Sequence, residues 1–140
     1  MKQIPVIFWT GTGNTQMMAD AVAEAINAAG AEAVVKNVSE ISADEAAGYD
    51  ALALGCPAMG AEVLEECEFE PFFTELEGKL AGKKVALFGS YGWGGSYMQD
   101  WEARVKDAGA TLVADGVLAL GAPDDEAVAK LAAAGKLLAE

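Results

Sequence analysis

The sequence predicts an α/β fold in which a parallel β-sheet is covered by helices. Strand-like apolar segments alternate with helix-like segments five times along the 140 residues. Helical crossovers of about 10–15 residues between strands favour parallel pairing. A turn rich in glycine and hydroxyl groups, Thr10–Thr15, joins the first strand to the first helix. Because no linker or repeat divides the chain, we expect a single domain over residues 1–140.

Five apolar, extended segments predict the strands. They are residues 4–9, 33–37, 51–55, 85–89 and a longer, more broken region over 111–120. The third segment is apolar without alternation, as in a strand that helices cover on both faces. Pro5 has no backbone N–H, so it fits a central strand only near the beginning of that strand.

Apolar residues at helical spacing predict the helices that separate these strands. The expected helices cover about residues 14–29, 42–47, 69–80, 97–108 and 128–138. Ser42 is followed by Glu45 three residues later, which is the spacing of a capping box, and Gly30 is suited to end the first helix. Asp124 and Asp125 suit the first turn of the last helix, where negative charge is stabilising.

The charge of the chain restricts its partners. Nine basic and 22 acidic residues give a net charge of −13, which argues against nucleic acid and anionic membranes and favours proteins with basic faces. Seven glutamates between Glu62 and Glu77 are not interrupted by Lys or Arg, although a simple solvated face explains them equally well. No apolar run reaches the ~20 residues of a membrane helix, and no signal-peptide cleavage site is evident. We expect a cytoplasmic monomer.

Several catalytic classes require residues that the sequence lacks. It contains no histidine, which excludes Ser/His/Asp and Cys/His catalysis and histidine metal sites. Cys56 and Cys67 form no CxxC pair, so we expect neither a disulfide nor a metal site. We therefore predict no catalytic residue and no metal ligand.

Three glycine-containing loops follow the first, third and fourth strands, at the edge of the sheet where such folds bind ligands. The first loop, Thr10–Thr15, precedes a helix N-terminus, so its N–H groups and hydroxyls suit a phosphate. It lacks the Lys of a Walker A loop and the third Gly of a dinucleotide fingerprint, and no Lys or Arg occurs from Gln3 to Val35. A phosphate monoester therefore fits better than a triphosphate, and an ordinary capped turn is the alternative.

The second and third loops, residues 56–62 and 90–96, offer surfaces for a flat ring. Met59 and Trp93 are side chains that pack well against aromatic rings, and Gly60 allows a positive φ. Each of them taken alone also fits a hydrophobic core or an ordinary turn. Together, the three loops predict a site for a phosphorylated planar heterocycle.

Three motifs in this order resemble those of the flavodoxins, most closely the short-chain flavodoxins of anaerobic bacteria. They are TGTGNT at 10–15, GCPAMG at 55–60 with Glu62 just beyond, and GSYGWGG at 89–95. The resemblance covers nearly the whole chain. It implies a flavodoxin-like, three-layer α-β-α fold with a five-stranded parallel sheet in the order 2-1-3-4-5 and FMN bound non-covalently at the switch point.

By this resemblance, each loop would bind a different part of FMN. The phosphate would be bound by Thr10, Thr12, Gly13, Asn14 and Thr15. Met59 and Trp93 would cover the two faces of the flavin. The Gly60 carbonyl would accept from flavin N5–H after reduction, and Glu62, unless it is only a solvated surface residue, would accept from N3–H. The remaining cofactor-binding residues would be Pro57, Ala58, Ser90, Tyr91, Gly92 and Gly94.

The chain departs from the pattern of its relatives at two places. Ala61 stands where many relatives have a residue such as Ser, so a side-chain hydrogen bond is lost. The stretch after Gly94 is about one residue shorter, and Tyr97 stands where a Trp is expected. These changes leave the loop geometry beyond Gly95 and the orientation of Trp93 open, and we expect Tyr97 to lie in the helix core.

The resemblance implies a low-potential one-electron carrier whose FMN alternates between neutral semiquinone and anionic hydroquinone. Acidic residues near the flavin edge, including Glu62, Glu65 and Glu66, would attract the basic faces of flavodoxin or ferredoxin reductases and oxidoreductases. The alternative is an FMN-dependent NAD(P)H or quinone reductase of the same fold, but few basic residues lie near the loops. A phospho-receiver domain is a much less favoured alternative, since Trp9-Thr10 and Gly55-Cys56 occupy the places of its acidic residues.

Overall fold

A computed structural model describes residues 2–9, 13–57, 68–91 and 97–140 as alternating strands and helices. The strands are β1 (Gln3–Phe8), β2 (Glu32–Asn37), β3 (Ala51–Gly55), β4 (Lys84–Tyr91), β5 (Thr111–Leu112) and β6 (Val117–Leu120). The helices are α1 (Asn14–Ala28), α2 (Ala43–Ala46), α3 (Phe69–Glu77), α4 (Tyr97–Asp107) and α5 (Asp125–Ala139), and a short 3₁₀ helix, Val38–Glu40, precedes α2.

The strands form one parallel sheet in the order β2-β1-β3-β4-β5, and β6 also pairs with β4. The two last strands share the fifth position, because β5 pairs with the beginning of β4 and β6 with its end. The predicted order is therefore confirmed. The broken strand expected over 111–120 is two short strands separated by residues 113–116.

Helices cover both faces of the sheet and enclose a hydrophobic core on each side. On one side, Leu52 and Leu54 of β3 belong to a core with the apolar residues of α3 and α4. On the other side, Ala51 and Ala53 of the same strand belong to a core with α1 and α5. Every residue of β3 is buried, as its unbroken apolar sequence predicts. The three-layer α-β-α arrangement is confirmed.

β1 occupies a central position although it contains Pro5. It covers Gln3–Phe8 rather than the predicted residues 4–9. The N–H of Trp9 donates to Gly55 O, next to β3. Because alternate residues of a strand point their backbone N–H groups to the same side, the nitrogen of Pro5, four residues earlier, also faces β3. The register between β1 and β3 begins only at Val6, opposite Ala53. Pro5 therefore lies before the part of β1 that pairs with β3, so its missing N–H interrupts no hydrogen bond between these strands.

Local sequence determines most helix boundaries. The Ser42 hydroxyl accepts from the Glu45 N–H over 3.1 Å and caps α2, as the predicted spacing implies. Asp124 caps α5 from one residue before the helix, accepting from the Ala127 N–H over 2.8 Å, rather than lying in its first turn. Helix α3 ends at Glu77 instead of near residue 80, because a turn closed by a backbone hydrogen bond follows Glu77.

β4 is longer than predicted, which moves Ser90 and Tyr91 from the third loop into the sheet. The expected strand ended at Gly89, whereas β4 continues to Tyr91. The extension follows from the pairing of β4 with β6, in which Phe88 is the first residue of β4 to take part. Just beyond β6, the N–H of Gly121 donates to Tyr91 O over 3.0 Å. The prediction that this loop begins at residue 90 is therefore wrong by two residues.

Gly135 allows close packing between α5 and α1, and its substitution tests this contact. A Cβ at residue 135 would lie 2.8 Å from Val22 O and 3.0 Å from Ala25 Cβ. We expect Gly135→Ala to lower the free energy of unfolding in urea, because overpacking of about 1–3 kcal/mol exceeds the helix-propensity gain of about 1 kcal/mol. The control is Gly78→Ala, where nothing lies within 4 Å of the new Cβ and no loss is expected. Wild-type stability of Gly135→Ala would contradict the packing.

Candidate functional site

The carboxyl ends of β1, β3 and β4 lie side by side, and the three predicted loops leave the sheet there. Phe8 is in register with Gly55, which is in register with Phe88. The N–H of Trp9 donates to Gly55 O over 3.0 Å, and the N–H of Cys56 donates to Phe88 O over 3.1 Å. Main-chain pairing therefore continues one residue beyond β1 and β3, so the first and second loops leave the sheet from neighbouring points.

The N-terminus of α1 lies at this edge and has the geometry of an anion site. Gly13 is the N-cap residue in the left-handed conformation, with φ 93°, and it supplies no side-chain cap. The first helical bond runs from the Met17 N–H to Gly13 O over 3.1 Å, so the N–H groups of Asn14, Thr15 and Gln16 have no acceptor within the helix. No acidic residue lies in this first turn. These donors and the positive end of the helix dipole favour an anion.

Two buried hydroxyl groups join α1 to the end of β4. Thr15 Oγ1 and Ser90 Oγ are 3.3 Å apart, and the two residues are 1% and 6% exposed. They are the two buried polar residues in the described part of the chain. Each hydroxyl has one proton, so the bond between them uses one proton and leaves the other for a further acceptor. A phosphate oxygen at the N-terminus of α1 would satisfy that donor.

The structure brings together six of the residues predicted to bind the cofactor. Thr15 and Ser90 are buried, and the other four, Gly13, Asn14, Pro57 and Tyr91, are half-buried at the same edge. The remaining predicted residues lie outside the described ranges: Thr10, Thr12, Ala58, Met59, Gly60, Glu62, Gly92, Trp93 and Gly94. The same holds for Ala61, Glu65, Glu66 and Gly95.

Two contacts beside the site were not predicted from the sequence. Tyr97 is buried in the helix core as expected, and in addition its hydroxyl donates to Cys56 O over 2.7 Å. The indole N–H of Trp9 donates to a carboxylate oxygen of Glu68 over 3.2 Å, which joins the end of β1 to the start of α3. A tyrosine among the apolar residues of a predicted helix face indicates that its hydroxyl needs a partner, but the sequence does not indicate which one.

Arg104 of α4 neutralises part of the acidic segment. Its guanidinium donates to both carboxylate oxygens of Glu70 over 2.7 and 2.9 Å and to those of Glu77 over 3.1 and 3.2 Å. It also lies 4.7 Å from the centre of the Phe73 ring. Its hydrogen bonds lower the pKa of Glu70, against the opposing effect of burial, and those to Glu70 are the main cause of the raised pKa of Arg104. Of the glutamates in this segment that the structure describes, Glu70 and Glu77 therefore form ion pairs with Arg104.

The same ranges show neither a membrane-spanning helix nor a cluster of metal ligands. Within them, no helix combines the length and apolar character needed to cross a membrane. Those residues also contain no group of three or more Cys, Asp or Glu side chains placed to hold a metal ion.

Known proteins resemble this chain over most of its length. The family model described as flavodoxin matches residues 6–135. The chain belongs to the flavodoxin family. The flavodoxin of Clostridium beijerinckii is 48% identical over 121 residues, which are 86% of this chain and 88% of that protein. The flavodoxin of Megasphaera elsdenii is 47% identical over 116 residues, which are 82% of this chain and 85% of that protein.

The fold agrees equally well with a solved flavodoxin structure. The solution structure of two-electron reduced Megasphaera elsdenii flavodoxin matches with a TM-score of 0.89 and 42% identity, over 97% of this chain and 98% of that one. The similarity to short-chain flavodoxins of anaerobic bacteria and the flavodoxin-like fold are confirmed. Flavodoxins bind FMN and transfer electrons rather than act as enzymes, which confirms the expected cofactor and class. The roles of individual site residues stay predictions.

The Arg104–Glu70 pair predicts a pH-dependent part of the stability. The pKa of Glu70 is lowered below its ordinary value of 4.5 in the folded protein. Its carboxylate therefore stabilises the fold above the unfolded pKa, and this contribution is lost as the pH falls through the folded pKa. Between about pH 7 and about pH 3, we expect the urea midpoint of Glu70→Gln to fall less than that of wild type. In free energy of unfolding, the two proteins should differ in this loss by about 1 kcal/mol or less, because the pair is one third exposed.

The control for this comparison is Glu24→Gln. Glu24 is exposed on α1, and the described residues show no ion pair with it. This variant should follow the wild-type pH curve. Parallel curves for wild type and Glu70→Gln would show that the pair contributes nothing to the pH dependence.

Proposed function

We propose that the chain is a one-electron carrier that binds FMN across the carboxyl edge of the sheet and alternates between the neutral semiquinone and the anionic hydroquinone. Its membership of the flavodoxin family supports the FMN and the electron transfer. The single observation that carries the location is the buried Thr15–Ser90 pair beside the N-terminus of α1. We also propose one domain over residues 1–140, because the sheet and its two cores extend from Ile4 to Leu138.

The FMN phosphate would lie at the N-terminus of α1. We assign it to Thr10, Thr12, Gly13, Asn14 and Thr15. The chain provides neutral donors here, since no Lys or Arg occurs from Gln3 to Val35. A buried hydroxyl proton and the first-turn N–H groups suit the two negative charges of a phosphate monoester. This supports a monophosphate cofactor over a nucleoside triphosphate with its metal ion.

The flavin ring would lie between the second and third loops. Both loops begin at the carboxyl edge of the sheet: Gly55 at the end of β3 is in register with Phe88 of β4, and β4 continues to Tyr91 before the third loop begins. On the resemblance of their motifs, we assign the ring contacts to Pro57, Ala58, Met59, Gly60, Glu62, Ser90, Tyr91, Gly92, Trp93 and Gly94. FMN supplies the redox chemistry when it is bound. The residues of the chain hold the ring, exclude water from it and present hydrogen-bonding groups to its edge.

The partners would be redox proteins with basic faces. Flavodoxins serve as redox partners of oxidoreductases. A net charge of −13 would speed the encounter with a basic face through electrostatic steering. Because Arg104 pairs with Glu70 and Glu77, we assign the steering charge to other glutamates of the segment, including Glu62, Glu65 and Glu66. An NAD(P)H or quinone reductase is not favoured, since the matched relatives are flavodoxins over most of their length.

An anaerobic reductive titration of the FMN-loaded protein tests this function. We expect a blue neutral semiquinone to accumulate during the first half of the titration and to disappear during the second. NADH or NADPH added alone should not bleach the flavin rapidly, because the sequence has few basic residues near the loops to bind their phosphates. Free FMN at the same concentration is the control for the amount of semiquinone.

Two outcomes would contradict the proposal. Direct two-electron bleaching without a semiquinone would show that the protein does not separate the two electron steps. Rapid bleaching by NADH or NADPH without a partner protein would indicate the reductase alternative.

A further inference from the structure

Tyr97 connects the end of β3, where the second loop begins, to the start of α4, where the third loop ends. It is the first residue of α4 and directly follows residues 92–96, which contain the predicted ring contact Trp93. Its hydroxyl donates over 2.7 Å to the carbonyl of Cys56, the residue after β3 and the start of the second loop. The hydrogen bond thus spans the two segments between which the flavin ring is proposed to lie.

The position of the hydroxyl is determined by a rigid aromatic cluster. The Tyr97 ring is 2% exposed and stacks on Trp101, with 6.5 Å between ring centres and an angle of 26°. Trp101 in turn packs edge-on against Phe69 at 5.4 Å and Phe73 at 5.9 Å, both in α3. Close-packed side chains of this kind allow little rotation. The Cys56 carbonyl is therefore held by the protein core and not by a mobile surface group.

Gly89 of β4 leaves the space that this hydrogen bond requires. A Cβ at residue 89 would lie 2.1 Å from both Cys56 O and the Tyr97 hydroxyl oxygen. No side chain larger than hydrogen fits there without displacing one of the two groups. Three elements, α4, β3 and β4, thus meet at one buried hydrogen bond beside the proposed site.

We propose that Tyr97 is a positioning residue for the flavin ring. By holding the Cys56 carbonyl, its hydroxyl sets the distance between the start of the second loop and the end of the third. This inference rests on the proposed function, because the ring is taken to lie between those loops. The phosphate end is held separately, at α1, so loss of the hydroxyl should affect the ring and spare the phosphate.

The test compares Tyr97→Phe with Tyr49→Phe in the FMN-loaded protein. Tyr97→Phe removes the hydroxyl and keeps the ring, whereas Tyr49 precedes β3 at the opposite edge of the sheet and its variant is the matched control. We expect Tyr97→Phe to weaken FMN and riboflavin by the same factor, about 2- to 10-fold, the range for one net hydrogen bond. The midpoint potential should move as well, because it reports the difference in affinity for oxidised and reduced flavin, which a changed loop spacing alters. Tyr49→Phe should match wild type in all three values.

Unchanged FMN affinity and potential in Tyr97→Phe, with only a lower free energy of unfolding, would show that the bond merely satisfies a buried hydroxyl. A weaker FMN complex with unchanged riboflavin binding would also overturn it, because the effect would then concern the phosphate. If wild type bound no FMN, the proposed function itself would fail.

A second measurement covers the case in which Tyr97→Phe does not fold. A fluorinated tyrosine introduced only at residue 97 keeps the ring and the hydroxyl but strengthens its donation to the Cys56 carbonyl. We expect this protein to bind FMN with a shifted midpoint potential. A potential equal to that of wild type would overturn the positioning role.

Discussion

The hydrogen bonds that join β1, β3 and β4 at their carboxyl ends are the constraint on which the rest of the site depends. They connect Trp9 to Gly55 and Cys56 to Phe88. Because all three strands run in the same direction, every loop that follows them begins at the same edge. A slip by one residue in any strand would exchange the side chains that face the two cores. The burial of β3 on both faces therefore stabilises the register that also assembles the site.

The site faces an electrostatic difficulty, because a chain with a net charge of −13 is proposed to bind a cofactor that is itself negatively charged. Local dipoles can outweigh this repulsion, because they act on the phosphate within hydrogen-bonding distance, whereas solvent and salt screen the more distant acidic residues. The N-terminus of α1 carries no acidic residue in its first turn, and the Thr15–Ser90 pair offers a buried proton. The acidic residues can then act on partner proteins without preventing the cofactor from binding.

Local sequence patterns predicted the parts of the fold that depend on neighbouring residues. The bounds of β3 and the cap of α2 at Ser42 follow from short motifs, and they agree with the structure. The end of β4 was missed because it depends on pairing with β6, which is remote in sequence. The loop motifs could identify the family because each of them is a short, continuous stretch of sequence. The contacts of Arg104 with Glu70 and of Tyr97 with Cys56 join residues 34 and 41 positions apart, and no local pattern contains them.

The most direct test of the account is the position of the phosphate at the N-terminus of α1. Amide ¹H–¹⁵N spectra of the apoprotein can be recorded during titration with FMN and, separately, with riboflavin, which lacks the phosphate. We expect FMN to displace the amide resonances of Gly13, Asn14 and Thr15, and riboflavin to displace them far less, while both perturb the Tyr91 resonance. Equal displacement of the three α1 resonances by both compounds, or none with FMN, would contradict this position of the phosphate.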